Sequence, residues 1–335
     1  MKRVGKQTWV FQTPIYITST GTVVGPIEGT GPLNESFDKY FDHLYCGEET
    51  WELAERKLMT EAIDICLEKA NRKKEEIDFF LAGDLLNQMV TSNYVARELR
   101  IPYLGMFSAC ATSMEMIAMG SVLVDGGYAD SVLCATSSHH STAERQFRYP
   151  NEFGIQRAPT SSYTVTGAGA AIVGRNKSNI KITAATIGRV VDYQIKNPFQ
   201  FGAAMAPAAA ETIHSHLQET GMNISDYDFI ASGDLACVGS GILRKLLEEE
   251  GVILPERYDD CGVMIFNPSK ELFSGGSGAA CCAVVTFGHL FNEMKNGHIK
   301  KLLVVATGAL LNPFMIYQKE SIPSIAHVVS FQAEE

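Results

Sequence analysis

The stretch IDFFLAGDL at residues 77–85 returns 150 residues later as YDFIASGDL at residues 227–235. Asp78 matches Asp228, Gly83 matches Gly233, and Leu85 matches Leu235. Each copy is an apolar run closed by Gly-Asp, the pattern of a buried strand ending in a turn. The context repeats as well. WELAERKLMTEAIDICLEKANRK precedes the first copy with apolar residues at helical spacing (Leu53, Leu58, Ala62, Ile65, Cys66). AAAETIHSHLQETG precedes the second as a shorter amphipathic helix ending at Gly221.

Downstream, FSAC (107–110) matches FSGG (273–276), and each opens a helix rich in small residues. Those helices, ATSMEMIAMGSVLVDGG and SGAACCAVVTFGHLFNEMKNG, suit a buried position where layers pack closely. Each yields to an apolar strand, SVLCATSS and KLLVVATGA. KITAATIGRVV (181–191) reads as the first strand of a second half, with WVFQTPIYITSTGTVVG as its counterpart. The glycine-rich TVTGAGAAIVG (164–174) reads as a further strand. The fold class is therefore α/β: two duplicated halves, residues 1–176 and 177–335, each with a mixed sheet and helices between and outside.

Bulk properties narrow the function. The 335 residues are 46% hydrophobic and 20% charged, enough for a large core. A net charge of -10 without a basic run argues against nucleic acid as a partner. The basic start MKRVGKQTWVF has no apolar run after it, which argues against a signal peptide. No stretch of about 18 apolar residues predicts a membrane-spanning helix. The eight cysteines form no C-x-x-C pair, so neither a zinc site nor a disulfide framework is expected, and the compartment reads as reducing.

Duplication sorts residues. Asp84 and Asp234 occur in both copies and read as turn or capping residues. Cys110 does not repeat: its partner is Gly276. A thiol opening a helix meets unpaired N–H groups and the helix dipole, which lower its pKa, so it reads equally as a nucleophile or as a small core residue.

Duplicated halves with a cysteine opening a buried helix resemble the thiolase-like fold, layered α/β/α/β/α, and in particular the ketoacyl synthase III type. Ser108-Ala109-Cys110 is similar to that family's nucleophile turn, and Gly167 to Ala171 to its Gly-Ala-Gly-Ala-Ala segment. The resemblance implies a catalytic histidine and asparagine from the second half. Here those positions fall on Gly233 and on Gly275 or Gly276. A missing oxyanion donor removes about 2.7–4 kcal/mol, and a missing base roughly 100- to 10,000-fold in rate. Cys110 is then a vestigial nucleophile. The competing reading is an acyltransferase that uses Cys110 with an acyl-coenzyme A donor.

GDLLNQM, SACATSMEMIAMG, SSHHSTAERQFRYPNEFG and FSGGSGAACCA further resemble the stage V sporulation protein AD family of spore-forming bacteria. That resemblance implies a binding protein for dipicolinic acid or its calcium chelate, with calcium arriving on the ligand and no cofactor of its own. It implies a part in uptake of the acid into the developing spore and in germination. It also implies cytoplasmic synthesis, peripheral attachment to the spore inner membrane through partner proteins of the transport complex, and a homodimer.

Dipicolinate is flat, aromatic and doubly negative, so its site needs cationic or N–H donors and an apolar slot. Residues 137–157 read as a long polar loop, rich in His139, His140, Arg145, Arg148 and Arg157, with Phe147, Tyr149 and Phe153 interleaved. It is an anion-binding candidate, with a solvated surface or a dimer contact as the alternatives. His139 or His140 would alternatively replace the missing catalytic histidine. His214 and His216 splay around a helix and do not suit one metal. Gly275-Gly276, with Ser274 and Ser277, reads as an anion nest at a helix start, and glycine at 276 as widening the space over Cys110. The expected ligand contacts are Cys110, His139, His140, Arg148, Gly233, Ser274, Gly275 and Gly276.

Overall fold

A computed structural model describes residues 2–148, 157–266 and 272–334. The chain begins with β1 (Thr8–Val24), β2 (Lys39–Tyr40), α1 (Trp51–Lys69), β3 (Phe79–Gly83), α2 (Val90–Leu99) and β4 (Tyr103–Gly105). It continues through α3 (Thr112–Asp125), β5 (Ser131–Ser138), α4 (His140–Gln146), β6 (Tyr163–Thr164) and β7 (Gly167–Gly174). The same order then recurs. β8 (Ile180–Ile187), α5 (Phe201–Thr220), β9 (Phe229–Ser232), α6 (Ala236–Glu249) and β10 (Tyr258–Asp260) lead to α7 (Cys261–Met264) and β11 (Gly276–Ser277). α8 (Ala279–Val284) runs through a π-helical turn (Val285–Leu290) into α9 (Phe291–Lys295). β12 (Lys301–Ala309), α10 (Pro313–Tyr317) and β13 (Ser324–Ala333) close the chain.

Strand order makes the duplication visible. It reads β10-β9-β12-β13-β8-β1-β7-β5-β3-β4, a palindrome about the β8–β1 seam. The repeated stretches are β3 and β9, which occupy equivalent places. The two expected sheets are joined at that seam. The early part of β1 pairs with β8 (Thr8 opposite Thr186), and its later part pairs with β7 (Val24 opposite Gly167). An irregularity between Val10 and Ile15 lets one 17-residue strand serve both.

Packing gives five layers. α1 and α2 cover the outer face of the first sheet around Leu58, Ile63, Phe80 and Leu133. α5 and α6 cover the second around Ile213, Leu243, Ile230 and Val305. α3 and the α8–α9 helix lie between the sheets, with Met114, Ile117, Cys281 and Phe287 in one continuous core. The small residues of these central helices permit that approach. α5 starts at Phe201, earlier than its sequence pattern indicated, because Pro207 lies inside the helix and does not open it. It ends as expected at Gly221, in the left-handed region (φ 72).

Candidate ligand cavity over Cys110

β4 ends at Gly105, and the chain reaches α3 through a tight elbow. Ala109 takes a left-handed conformation (φ 50) just before Cys110, a costly state that needs holding in place. Three contacts hold it. The Thr112 hydroxyl accepts from Ser108 N (3.0 Å) and donates to Ala109 O (2.7 Å). Gly308 of β12 lies so close that a Cβ there would sit 2.2 Å from Ser108 O. Behind the elbow, His327 Nδ1 accepts from Gly188 N (3.3 Å), which leaves the Nε2 proton to be donated to Ser108 Oγ at 3.0 Å. Burial lowers the His327 pKa to about 4, so this imidazole is neutral. The Ser108 hydroxyl in turn serves Glu115.

Cys110 is buried, and its thiol shares the polar end of the cavity with Asp234. Burial raises the thiol pKa well above its ordinary value, and the Asp234 carboxylate adds to the rise. Arg148 pulls the other way and does not overcome them. This corrects the expectation drawn from the helix address alone: desolvation and a neighbouring carboxylate outweigh the dipole. Asp234 accepts from Thr307 Oγ1 (2.6 Å) and Gly278 N (3.0 Å). Burial raises its own pKa against those hydrogen bonds.

Arg148 closes the polar end. Nη1 donates to Ser162 O (3.0 Å) and Nη2 to Ser277 Oγ (2.5 Å), while the guanidinium lies 4.9 Å from the centre of the Phe201 ring. Its Nε is buried with no hydrogen-bond partner among the described residues. An unpaired buried donor is costly, and the guanidinium gives the cavity a cationic end that suits an anion.

These groups floor a cavity of about 460 Å³. Cys110, Asp234, Ser277 and Arg148 form its polar end. Leu85, Leu86, Met89, Phe107, Phe147, Phe201, Met205, Leu310, Leu311 and Pro313 form apolar walls. The volume and lining are those of a small-molecule site. At one side of the mouth, Gln88 (φ 61) and Met89 (φ 52) are consecutive left-handed residues.

The expected site residues divide. Cys110 and Arg148 line the cavity; the other six do not. His139 is buried as the N-cap of α4: its Nδ1 accepts from Ser141 N (3.1 Å), and its Nε2 lies 2.8 Å from Leu44 O. His140 stacks on Tyr163 at 3.8 Å and 3°, with its pKa lowered to about 3 by burial and by Arg157 and Arg148. His140 opens α4 and His139 caps it, where sequence indicated an open loop. A side chain at Gly233 would meet Ala306 and Thr307 backbone. One at Gly276 would meet Ile265, Val165 and Phe266, so glycine there fits a packed core and does not widen the space over Cys110. Ser274 Oγ donates to Ser161 O (2.7 Å), and Gly275 O accepts from Tyr163 N (2.8 Å). Gly275 N and Gly278 N already donate to Leu272 O and Asp234, so the expected nest is occupied by protein groups.

Of the remaining loop candidates, Arg145 pairs with Glu52 and Arg157 with Glu144. Phe147 lines the cavity, and Tyr149 and Phe153 lie outside the described residues. His214 pairs with Glu250, whereas His216 bonds Thr186 and Tyr227 on the other side of α5.

Sequence reasoning missed Asp234. Asp84 is the cap that the repeat suggested, accepting from Leu86 N, Ser92 N and Ser92 Oγ. In the second half that work passes to Asp260, which accepts from Leu235 N, Ala236 N and Gly262 N. Asp234 is thereby released toward Cys110.

The family model for Stage V sporulation protein AD (SpoVAD) matches residues 5–332. The chain belongs to the stage V sporulation protein AD family. A Stage V sporulation protein AD from Bacillus subtilis (strain 168) is 53% identical over 332 residues, covering 99% of this chain and 98% of that protein. Solved structures with this family's fold include 3-oxoacyl-[acyl-carrier-protein] synthase III from Aquifex aeolicus VF5 (TM-score 0.58, 15% identity, 95% of this chain and 99% of that one). Cerulenin-bound Xanthomonas campestri OleA is another (TM-score 0.62, 14% identity, 96% and 99%). At these identities the likeness is one of fold, the thiolase-like fold. Among the described residues, no helix is long and apolar enough to cross a membrane.

Proposed function

We propose that this protein serves sporulation by binding dipicolinate, or its calcium chelate, in the cavity over Cys110, without catalysing a reaction on it. The observation that carries the reading is the Arg148 guanidinium, a cation set at the polar end of an apolar-walled cavity. One ligand carboxylate meets Arg148, and the ring lies between Phe201 and the aliphatic wall. Non-catalysis is supported by the glycines at 233 and 276, by a thiol that burial and Asp234 keep protonated, and by the absence of histidine from the described cavity lining. Kinship with the SpoVAD family supports, as part of this reading, action in acid uptake and germination at the spore inner membrane with the transport complex. Pairing of two copies is supported by β4, a terminal strand that exposes Leu104, with Phe107 exposed just past its end.

An acyltransferase reading is favoured by one feature, the strained elbow that presents Cys110 to the cavity. Calorimetric titration with dipicolinate and, separately, acetyl-coenzyme A distinguishes the two. Heat with dipicolinate alone supports binding. An acyl adduct on Cys110, seen by intact mass, would overturn the non-catalytic reading.

A further inference from the structure

The 14-residue helix α3 carries Cys110 just before its N-terminus. Its other end, roughly 21 Å away at 1.5 Å per residue, adjoins a second cavity of about 360 Å³. Its walls are aromatic and aliphatic: Trp9 and Phe11 from β1, Val122 from α3, and Tyr128 just beyond. Tyr128 is 74% exposed, so the cavity opens to solvent on that side.

The charges around it are unequal. Lys2 and Arg3 line the cavity, with Asp125 as the sole carboxylate of the lining. Asp125 is fully engaged. Oδ2 pairs with Lys2 Nζ (3.0 Å), and Oδ1 accepts from Gln12 N, Thr13 N and Thr13 Oγ1. Lys2 also donates to Asp125 O (2.9 Å), which ties it to the end of α3. The Arg3 guanidinium is left with no acceptor among the described residues. This local excess stands out in a chain of net charge -10: residues 1–27 hold Lys2, Arg3 and Lys6 and no acid.

We infer that this cavity is a second ligand site, which takes an amphipathic monoanion: an alkyl or aryl body between Trp9, Phe11 and Val122, with its carboxylate or phosphate on Arg3. The charge count matches, because Asp125 cancels Lys2 and leaves one uncompensated cation. Apolar burial supplies most of the affinity, and the guanidinium selects anionic heads over neutral ones. Such a molecule comes either free in solution or as a lipid in a bilayer.

The test uses the full chain with Trp51→Phe, so that Trp9 is the single tryptophan. Decanoate and decyl phosphate, below their micellar concentrations, are titrated against its fluorescence. Vesicles of phosphatidylcholine, with and without phosphatidylglycerol, are sedimented with the same protein. A saturable Trp9 response supports a free amphiphile, and phosphatidylglycerol-dependent sedimentation supports a bilayer lipid. In either arm, Arg3→Glu weakens binding about tenfold or more, and Val122→Phe, which fills the cavity, weakens it further. Arg3 is exposed, so its variant keeps the fold, as circular dichroism would verify. No binding in either arm, or binding that neither variant changes, overturns the inference.

Discussion

The Cys110 thiol and the Asp234 carboxylate share the polar end of the cavity, and that charge adds to burial in holding the first residue that the elbow presents as a thiol. Its neighbours should therefore tune its reactivity in opposite directions. Asp234→Asn removes a charge that raises the thiol pKa, so alkylation by iodoacetamide at pH 8 should quicken. Arg148→Met removes a charge that lowers it, so alkylation should slow. Intact-mass time courses over pH 7–10 check both signs. Equal rates in all three proteins would contradict the electrostatic description of the floor.

Gly308 faces the elbow at a distance that leaves no room for a methyl group. Gly308→Ala would push on Ser108 O, which is backbone, and strain of this kind costs about 1–3 kcal/mol. Urea unfolding should show that loss. Ligand binding should weaken with it, because Ala109 and Cys110 move with Ser108.

His139 caps α4 and is not in the cavity lining. His139→Ala should cost about 1 kcal/mol, as the loss of an N-cap does. Its dipicolinate titration should match that of the unaltered protein. A selective loss of binding at unchanged stability would return His139 to the ligand site.

Glu28 is buried, with Oε1 accepting from Thr166 N (2.9 Å) and Oε2 without a partner among the described residues. Burial raises its pKa to about 7. The unfolded chain ionises this group near its ordinary value, so between there and pH 7 the folded state binds the extra proton. Stability from this residue is therefore present at low pH and lost as pH rises through 7. Glu28→Gln should raise the melting temperature relative to the unaltered protein at pH 8.5. That advantage, on the order of 3 kcal/mol at most, should vanish by pH 4. Melts at the two pH values measure it.

Much of the fold was legible because duplication doubles the evidence. IDFFLAGDL and YDFIASGDL became β3 and β9, and the small-residue helices became the central layer. The joining of the sheets was not legible, because it depends on where a single long strand changes partner. The site was half legible. Cys110 stood out by failing to repeat, and Arg148 by being basic in an acidic chain. His139 and His140 stood out for the same reason, yet α4 buries them for capping and stacking. Asp234 was obscured by its match to Asp84, since only the three-dimensional position of Asp260 shows that the capping role had moved. Phe201, Met205 and Leu310 to Pro313 reach the cavity from distant segments, and apolar residues in such segments carry no local signal.

In the proposed function Arg148 anchors an anionic ligand over Cys110. The most direct test of that role is calorimetric titration of dipicolinate into the unaltered protein, Arg148→Lys and Arg148→Met. Saturable binding is expected for the first, weaker binding for Arg148→Lys, which keeps the charge but loses the planar fork, and a loss of at least about tenfold for Arg148→Met. Undiminished affinity in a folded Arg148→Met protein would contradict it.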